Sequence, residues 1–158
     1  MIKVNDSIPA ATITVINQEG QSNVSAADYF KGKKVALFAL PGAFTPTCSA
    51  AHLPGFVVHF DDLKAKGVDE VACLSVNDSF VMKAWQDAQN AENLTMIADG
   101  NAALTNALGL TLDTGDFGGV RSQRYSMLID DGVVKQLNVE PGKELSVSDA
   151  ATLLSQLG

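Results

Sequence analysis

A single cysteine at a strand-to-helix junction is the residue with the clearest chemistry in this sequence. The apolar run from Lys34 to Leu40 has the length of a strand and suits a buried central strand. A short loop with two prolines and a glycine leads from it to Cys48, where a helical pattern begins. Backbone N–H groups of a first helical turn lack intrahelical partners and favour a thiolate, the nucleophilic form of cysteine. The alternative is a small buried core cysteine, but the prolines and the glycine indicate a rigid loop.

The residues next to Cys48 limit the reactions that it can carry out. Thr45, not a second cysteine, stands three positions before it, so a dithiol that resolves its own mixed disulfide is disfavoured. A lone thiol beside a hydroxyl and free backbone donors suits attack on a small polar electrophile, and a peroxide fits well. The product would be a sulfenic acid, which a second thiol returns to the resting state.

Two histidines follow Cys48 on the same predicted helix. His52 is four residues away and could face the thiol across one turn, and a Cys–His pair would suggest a hydrolase. No orienting side chain or oxyanion loop is identifiable, so we expect a supporting role for His52 at most. His52, His59 and one thiol do not complete a structural zinc site, and we expect neither a metal nor another cofactor.

Composition narrows the class of protein further. A hydrophobic fraction of 46%, with 18% charged residues over 158 positions, is typical of one globular domain spanning residues 1–158. The net charge of −7 argues against nucleic acid or an anionic membrane as partner. No apolar run of about twenty residues and no signal-like start are present, so we expect a cytoplasmic protein.

The remaining pattern predicts a layered α/β arrangement. Strands are predicted at 11–17, 34–40, 70–76 and 95–98, and a hairpin at 125–129 and 133–139. Helices are predicted at 25–30, from 48 to about 66 with a kink at Pro54, from 77–79 onward, at 102–108 and from 148 onward, and an irregular loop at 111–120. The order predicts a mixed central sheet flanked by helices, a thioredoxin-like α/β fold with an N-terminal extension.

The motif around Cys48 also resembles a known family. Pro41-x-x-x-Thr45-x-x-Cys48 is similar to the peroxiredoxin signature, and PGAFTPTCSAAHLPGF resembles the atypical, Prx5-type (type II) branch. The resemblance continues through KAKGVDEVACLSVND and RYSMLIDDGVVKQLNVEPG. It implies that Cys48 is the peroxidatic cysteine, that Thr45 holds the peroxide and that Pro41 shields the pocket.

The resemblance further implies an arginine from a distant strand. Arg124, directly before the predicted hairpin, fits that position and would stabilise the thiolate and the transition state. Its permanently charged guanidinium suits this role better than an ammonium group. The alternative for Arg124 is a surface ion pair with Asp130 or Asp131, and Arg121 is interpreted as a solvated loop residue.

The second half of the predicted reaction depends on which thiol meets the sulfenic acid. Some members of this branch carry a resolving cysteine near the C-terminus, but residues 144–148 contain none. Cys73 lies in a predicted central strand, and a disulfide needs Cα atoms about 4.4–6.8 Å apart, so we interpret Cys73 as a buried structural residue. We therefore predict a one-cysteine cycle with an external thiol. The resemblance implies glutathione with glutaredoxin as the first candidate reductant and thioredoxin as the second.

Other functions and the assembly stay open at this stage. A redox sensor or a thiol-disulfide oxidoreductase on the same fold is the alternative to a peroxidase. The resemblance implies a homodimer, and its candidate apolar contacts, which could equally be core residues, are Phe44, Phe80, Trp85 and Phe117.

Overall fold

The centre of the molecule is a mixed seven-stranded sheet. The structure is a computed structural model and describes residues 1–157. Its strands are β1 (Thr12–Asn17), β2 (Gly20–Ser25), β3 (Lys34–Ala39), β4 (Glu70–Ser75), β5 (Thr95–Ala98), β6 (Thr111–Asp113), β7 (Val120–Ser122), β8 (Tyr125–Asp130) and β9 (Val133–Val139). The sheet order is β2-β1-β5-β4-β3-β8-β9, and β6 pairs with β7 alone. β3, β4 and β5 are parallel, and the other pairs are antiparallel.

Helices cover both faces of this sheet. They are α1 (Ala26–Tyr29), α2 (Leu53–Val58), α3 (Phe60–Ala65), α4 (Ser79–Ala88), α5 (Ala103–Leu108) and α6 (Ala150–Ser155), with a π-helical turn at Cys48–His52 and a 3₁₀ turn at Gly115–Phe117. The predicted thioredoxin-like fold is confirmed, with the β1–β2 hairpin as the N-terminal extension of the sheet. Among residues 1–157 no helix has the length and apolar character needed to cross a membrane.

The central strand β3 explains why its sequence is almost continuously apolar. Its successive side chains alternate between two cores, with Val35 and Leu37 on one side of the sheet and Ala36 and Phe38 on the other. All four are fully buried. A strand covered on both faces needs apolar residues at every position, and its end is therefore fixed firmly in the molecule.

The segment 111–120, predicted as an irregular loop, forms a small hairpin instead. β6 and β7 pair in an antiparallel register from Thr111 opposite Ser122, and the 3₁₀ turn joins them. Gly115 and Gly119 have positive φ angles of 59° and 67°, which glycine adopts without strain. The Gly- and Asp-rich composition that suggested a loop belongs to this turn, and the strands are too short to give a periodic pattern. β2 was likewise not predicted, because GQSNVS is polar and mostly exposed.

The helix predicted from Cys48 to about Lys66 is divided into three pieces. The π-helical turn comes first, and its end is marked by the Leu53 N–H, which donates to the Cys48 carbonyl oxygen. The distortion thus precedes Pro54, whose missing N–H and bulky ring disturb the turn before it. A second break falls at His59, where α2 ends and α3 begins. The helix predicted from 148 onward begins at Ala150, and Asp149 caps it by accepting from the Thr152 N–H.

Candidate active site

Cys48 lies where the chain leaves the central strand. It is 1% exposed, opens the π-helical turn and packs within the core cluster on one face of the sheet. The Ser49 N–H donates to the Thr45 carbonyl oxygen at 2.9 Å, which brings Thr45 under the first turn. π-Helical turns occur frequently at functional sites. The predicted strand-to-helix junction is therefore present, and the thiol is buried within it.

The loop of residues 41–47 is held by the end of β4. The Ala43 N–H donates to Asn77 Oδ1 at 3.0 Å. Phe44 has a positive φ angle of 64°, an uncommon conformation for a non-glycine residue that persists only where the surroundings impose it. Arg121 contributes from β7, since its Nη1 donates to the Val76 carbonyl oxygen at 3.2 Å. The prediction of a solvated Arg121 was wrong, because the side chain is half-buried and also donates from Nε to the Gly118 carbonyl oxygen of the β6–β7 hairpin at 3.0 Å.

Arg124 is in direct contact with the thiol. It is 3% exposed, and its Nη2 donates to Cys48 Sγ at 3.2 Å across 76 positions of sequence. The topology brings them together, because Tyr125 at the start of β8 pairs with Ala39 at the end of β3. Asp130 pairs at the opposite end of β8, so the alternative of an ion pair with Asp130 or Asp131 is wrong.

His52 connects Arg124 to the C-terminal part of the chain. Arg124 Nη1 donates to His52 Nδ1 at 2.9 Å, and His52 Nε2–H donates to the Ser148 carbonyl oxygen at 3.0 Å. A guanidinium can only donate and a carbonyl can only accept, so the imidazole is neutral and carries its proton on Nε2. Burial, and then the charge of Arg124, lowers the pKa of His52 to about 4. The supporting position expected for His52 is thus against Arg124.

A cavity of about 200 Å³ opens onto this cluster. Its lining combines the cysteine loop, the β6–β7 hairpin, the arginine and one residue after β9: Pro41, Thr45, Pro46, Thr47, Leu112, Thr114, Phe117, Arg124 and Lys143. Three of the four predicted site residues line it, and the fourth, Cys48, is buried beside Arg124. Leu112 and Lys143 were not indicated by the sequence, because nothing local marks residues that a distant hairpin or loop brings to a cavity.

The hydroxyl of Thr45 has a defined direction at the cavity wall. Its Oγ1 donates to the Gly42 carbonyl oxygen at 2.7 Å. Since the single hydroxyl proton is used in that bond, the lone pairs of the oxygen remain for a donor entering the cavity. Pro41, half-buried at the end of the central strand, forms the neighbouring wall.

Cys73 has a different environment from Cys48. It lies in β4, fully buried and paired in register with Phe38 and Met96, which agrees with the interpretation of a buried residue. Burial, and to a lesser degree the neighbouring Cys48, raises the pKa of this thiol well above its ordinary value. Both cysteines are free thiols. Within residues 1–157 no group of His, Cys, Asp and Glu side chains is arranged to hold a metal ion.

The four aromatic residues considered for a subunit contact divide into two groups. Phe44, Phe80 and Phe117 are 56%, 83% and 72% exposed. Trp85 is fully buried and belongs to the core, where its Nε1–H donates to Ser49 Oγ at 3.1 Å. Trp85 is therefore excluded as a surface contact, and its indole reports on the turn that carries Cys48.

A buried thiol and guanidinium on a thioredoxin-like fold define a class of thiol-based redox proteins. Residues 3–154 match the redoxin family. The chain is 47% identical to Peroxiredoxin-2B of Arabidopsis thaliana, over 99% of this chain and 98% of that protein. It is 47% identical to the chloroplastic Peroxiredoxin-2E-2 of rice, over 99% and 72%. Reduced Prx3 of Vibrio vulnificus, solved in complex with hydrogen peroxide, has a TM-score of 0.96 at 57% identity, with full coverage of both chains.

The family follows from these matches. The chain belongs to the redoxin family and, within it, to the peroxiredoxins, the thiol peroxidases of this fold.

Proposed function

We propose that this peroxiredoxin reduces hydrogen peroxide and alkyl hydroperoxides through a sulfenic acid at Cys48, in a one-cysteine cycle. The observation that carries the proposal is the 3.2 Å contact between Arg124 Nη2 and Cys48 Sγ. The guanidinium is buried, and among residues 1–157 no carboxylate is paired with it. Its charge is therefore free to stabilise the thiolate and the alkoxide oxygen that leaves when the O–O bond of the peroxide breaks.

The chemical step uses the cavity residues in distinct roles. The thiolate sulfur attacks the terminal oxygen of ROOH, the O–O bond breaks, and RO⁻ leaves with the bonding pair and takes a proton from solvent. Thr45 Oγ1 accepts a hydrogen bond from the O–H of the entering peroxide, since its own proton is donated to the Gly42 carbonyl oxygen. Arg124, whose buried Nε–H has no partner among residues 1–157, donates to the developing alkoxide. Pro41 excludes water at the wall.

An external thiol completes the cycle. It attacks the Cys48 sulfenic acid to form a mixed disulfide and water, and a second thiol then releases the Cys48 thiol and a disulfide. Cys73 takes no part, because it is held in a central strand with its thiol form favoured. Glutathione with glutaredoxin is the first proposed reductant and thioredoxin the second.

The setting of the enzyme is proposed on the same basis. A cycle that consumes external thiols requires a reducing compartment, and the cytoplasm is our proposal. The run PGAFTPTCSAAHLPGF supports assignment to the Prx5-type branch.

A homodimer that buries Phe44, Phe80 and Phe117 is proposed because three large apolar side chains stand exposed on elements around the cysteine loop.

Steady-state turnover with one reductant at a time tests the cycle. Hydrogen peroxide consumption is measured with glutathione and glutaredoxin, and separately with thioredoxin and its reductase, for the parent, Cys48→Ser and Cys73→Ser. The proposal predicts turnover in the parent and in Cys73→Ser and none in Cys48→Ser. Loss of turnover in Cys73→Ser, with the first oxidation step intact, would refute the one-cysteine cycle. Reduction of insulin disulfides without peroxide would instead indicate a disulfide oxidoreductase.

A further inference from the structure

Arg124 and Glu140 are neighbours at the open end of the β8–β9 hairpin, but their side chains do not form an ion pair. The antiparallel ladder continues one step past Tyr125 opposite Val139, and the Glu140 N–H donates to the Arg124 carbonyl oxygen at 2.9 Å. Opposite charges at paired positions of a ladder ordinarily attract each other into an ion pair. Here both side chains are nearly inaccessible, 3% and 2% exposed, and neither takes part in an ion pair within residues 1–157. Each must be satisfied by other groups.

The carboxylate of Glu140 is used entirely by the segment that follows it. It accepts hydrogen bonds of 2.7–2.9 Å from the backbone N–H groups of Ser146, Val147 and Ser148 and from the hydroxyls of Ser146 and Ser148. These bonds, despite the burial that opposes the charge, lower the pKa of Glu140 to about 2. A charged acceptor with five donors fixes residues 146–148 against the end of β9.

The end of that segment is the group that contacts the active site. The Ser148 carbonyl oxygen accepts from His52 Nε2–H, and this bond determines which imidazole nitrogen faces Arg124. With its proton on Nε2, His52 offers a lone pair on Nδ1 to Arg124 Nη1, and Arg124 Nη2 is left for Cys48 Sγ. Glu140 thus stands at the start of a continuous chain of hydrogen bonds that ends at the thiol.

We propose that Glu140 is a positioning residue of this site: its carboxylate fixes residues 146–148 so that the Ser148 carbonyl orients His52, which holds Arg124 against Cys48. The arrangement has an electrostatic consequence. A carboxylate bound directly to Arg124 would compete with the thiolate for the guanidinium. Because serine and backbone donors occupy Glu140, the charge of Arg124 remains available to sulfur. The inference rests on the proposed peroxidase function.

Replacement of Glu140 tests the inference through the rate of Cys48 oxidation. Glu140→Ala leaves buried N–H donors without an acceptor, and we expect hydrogen peroxide to oxidise Cys48 between about 10- and 100-fold more slowly, the size of loss that a small misplacement of a catalytic group gives. Glu140→Gln keeps an acceptor oxygen in place and should recover most of the rate. Glu144→Ala removes an exposed carboxylate of the same segment and is the matched control.

The same substitution in a second background separates positioning from general destabilisation. If Glu140 acts through Arg124, adding Glu140→Ala to Arg124→Ala does not slow the oxidation of Cys48 further. The slow oxidation in these variants is followed over minutes by trapping the sulfenic acid and measuring it by mass spectrometry. An equal loss in both backgrounds, or no loss in the parent, would overturn the inference and leave the peroxidase intact. A parent that fails to react would refute the proposed function itself. Should Glu140→Ala not fold, Glu140→Asp, with its shorter reach to the segment, enters the same comparison.

Discussion

At the scale of single residues, the chemistry of the site depends on which groups contact the buried guanidinium of Arg124. Arg124 has two directed contacts, one to sulfur at 3.2 Å and one to imidazole nitrogen at 2.9 Å. A planar fork with fixed donor directions makes both contacts at once, which a lysine ammonium on a flexible stem does not. The motif resemblance predicted Arg124 for this site. No local pattern predicts its contact with His52, because the tautomer of His52 is set by the Ser148 carbonyl oxygen, 96 positions away.

Arg124→Lys keeps the charge and removes the fork. We expect the second-order rate constant for Cys48 oxidation by hydrogen peroxide to fall by about 10²-fold or more, the loss seen when one donor to a developing oxyanion is removed. Stopped-flow measurement of the two proteins gives this ratio. Arg121→Lys, three positions earlier and without contact to the thiol, is the matched comparison and should slow the reaction far less. Equal effects of the two substitutions would contradict the role given to Arg124.

The buried His52 predicts a pH dependence of stability. Its pKa is about 4 in the folded chain against an ordinary 6.5. Between these values the unfolded chain binds a proton that the folded chain does not. The contribution of His52 to the free energy of unfolding is therefore fully present above pH 6.5 and decreases as the pH falls toward 4. At pH 5 the decrease in the free energy of unfolding is about 2 kcal/mol.

Urea unfolding at pH 7, 6 and 5 measures this decrease. In His52→Gln the titrating group is absent, and the dependence over this range should largely disappear. His59→Gln, at the other histidine of the chain, is the control and should retain the dependence of the parent. A parent with a flat profile between pH 7 and 5 would show that His52 is protonated without cost to the fold.

At the scale of elements the cavity is built from parts that differ in how far the sequence predicts them. The central strand and the Cys48 junction follow from a continuous apolar run and a proline-containing loop, both local signals. The β6–β7 hairpin was predicted as an irregular loop, since three-residue strands give no periodicity. The kink at Pro54 was predicted, because proline lacks an N–H and crowds the preceding turn, but the sequence did not predict that this turn would be π-helical.

The β6–β7 hairpin should influence which peroxide is used. Leu112 and Phe117 give the cavity an apolar wall. We expect a bulky organic peroxide to reach this wall and the much smaller hydrogen peroxide not to. We expect Phe117→Ala to lower kcat/KM for cumene hydroperoxide by up to about tenfold, the usual effect of lost apolar contact in a pocket, with little change for hydrogen peroxide. Parallel steady-state assays with both substrates give the ratio. A similar decrease for both peroxides would mean that Phe117 acts through the cysteine loop or the proposed subunit contact, and not as a wall for the substrate.

At the scale of the whole molecule the topology accounts for the assembly of distant residues. Antiparallel pairing of β3 with β8 puts Arg124 beside the loop after Leu40, and pairing of β8 with β9 puts Glu140 beside Arg124. The alternation of strand and helix along the sequence predicts the layers correctly. It does not predict which strand edges meet, so Glu140 and Lys143 gave no signal as neighbours of the site.

The exposed phenylalanines predict how the chain associates. Phe80→Asp puts a charge into the proposed subunit contact, and we expect the molar mass to change from a dimer to the 16.6 kDa chain at micromolar concentration. Size-exclusion chromatography with light scattering measures it. Val58→Asp, at another exposed apolar side chain outside the three phenylalanines, should leave the dimer intact. A parent that is already monomeric would contradict the proposed homodimer.

The most direct test of Cys48 as the peroxidatic thiol is its oxidation by hydrogen peroxide at several concentrations. The single tryptophan, Trp85, donates to Ser49 Oγ next to Cys48, so its fluorescence should report the change at the thiol. In a stopped-flow experiment we expect a single fast fluorescence change in the parent and in Cys73→Ser, with an observed rate constant proportional to peroxide concentration. We expect no such change in Cys48→Ser. Peroxide consumption by Cys48→Ser as fast as by the parent would contradict this role of Cys48.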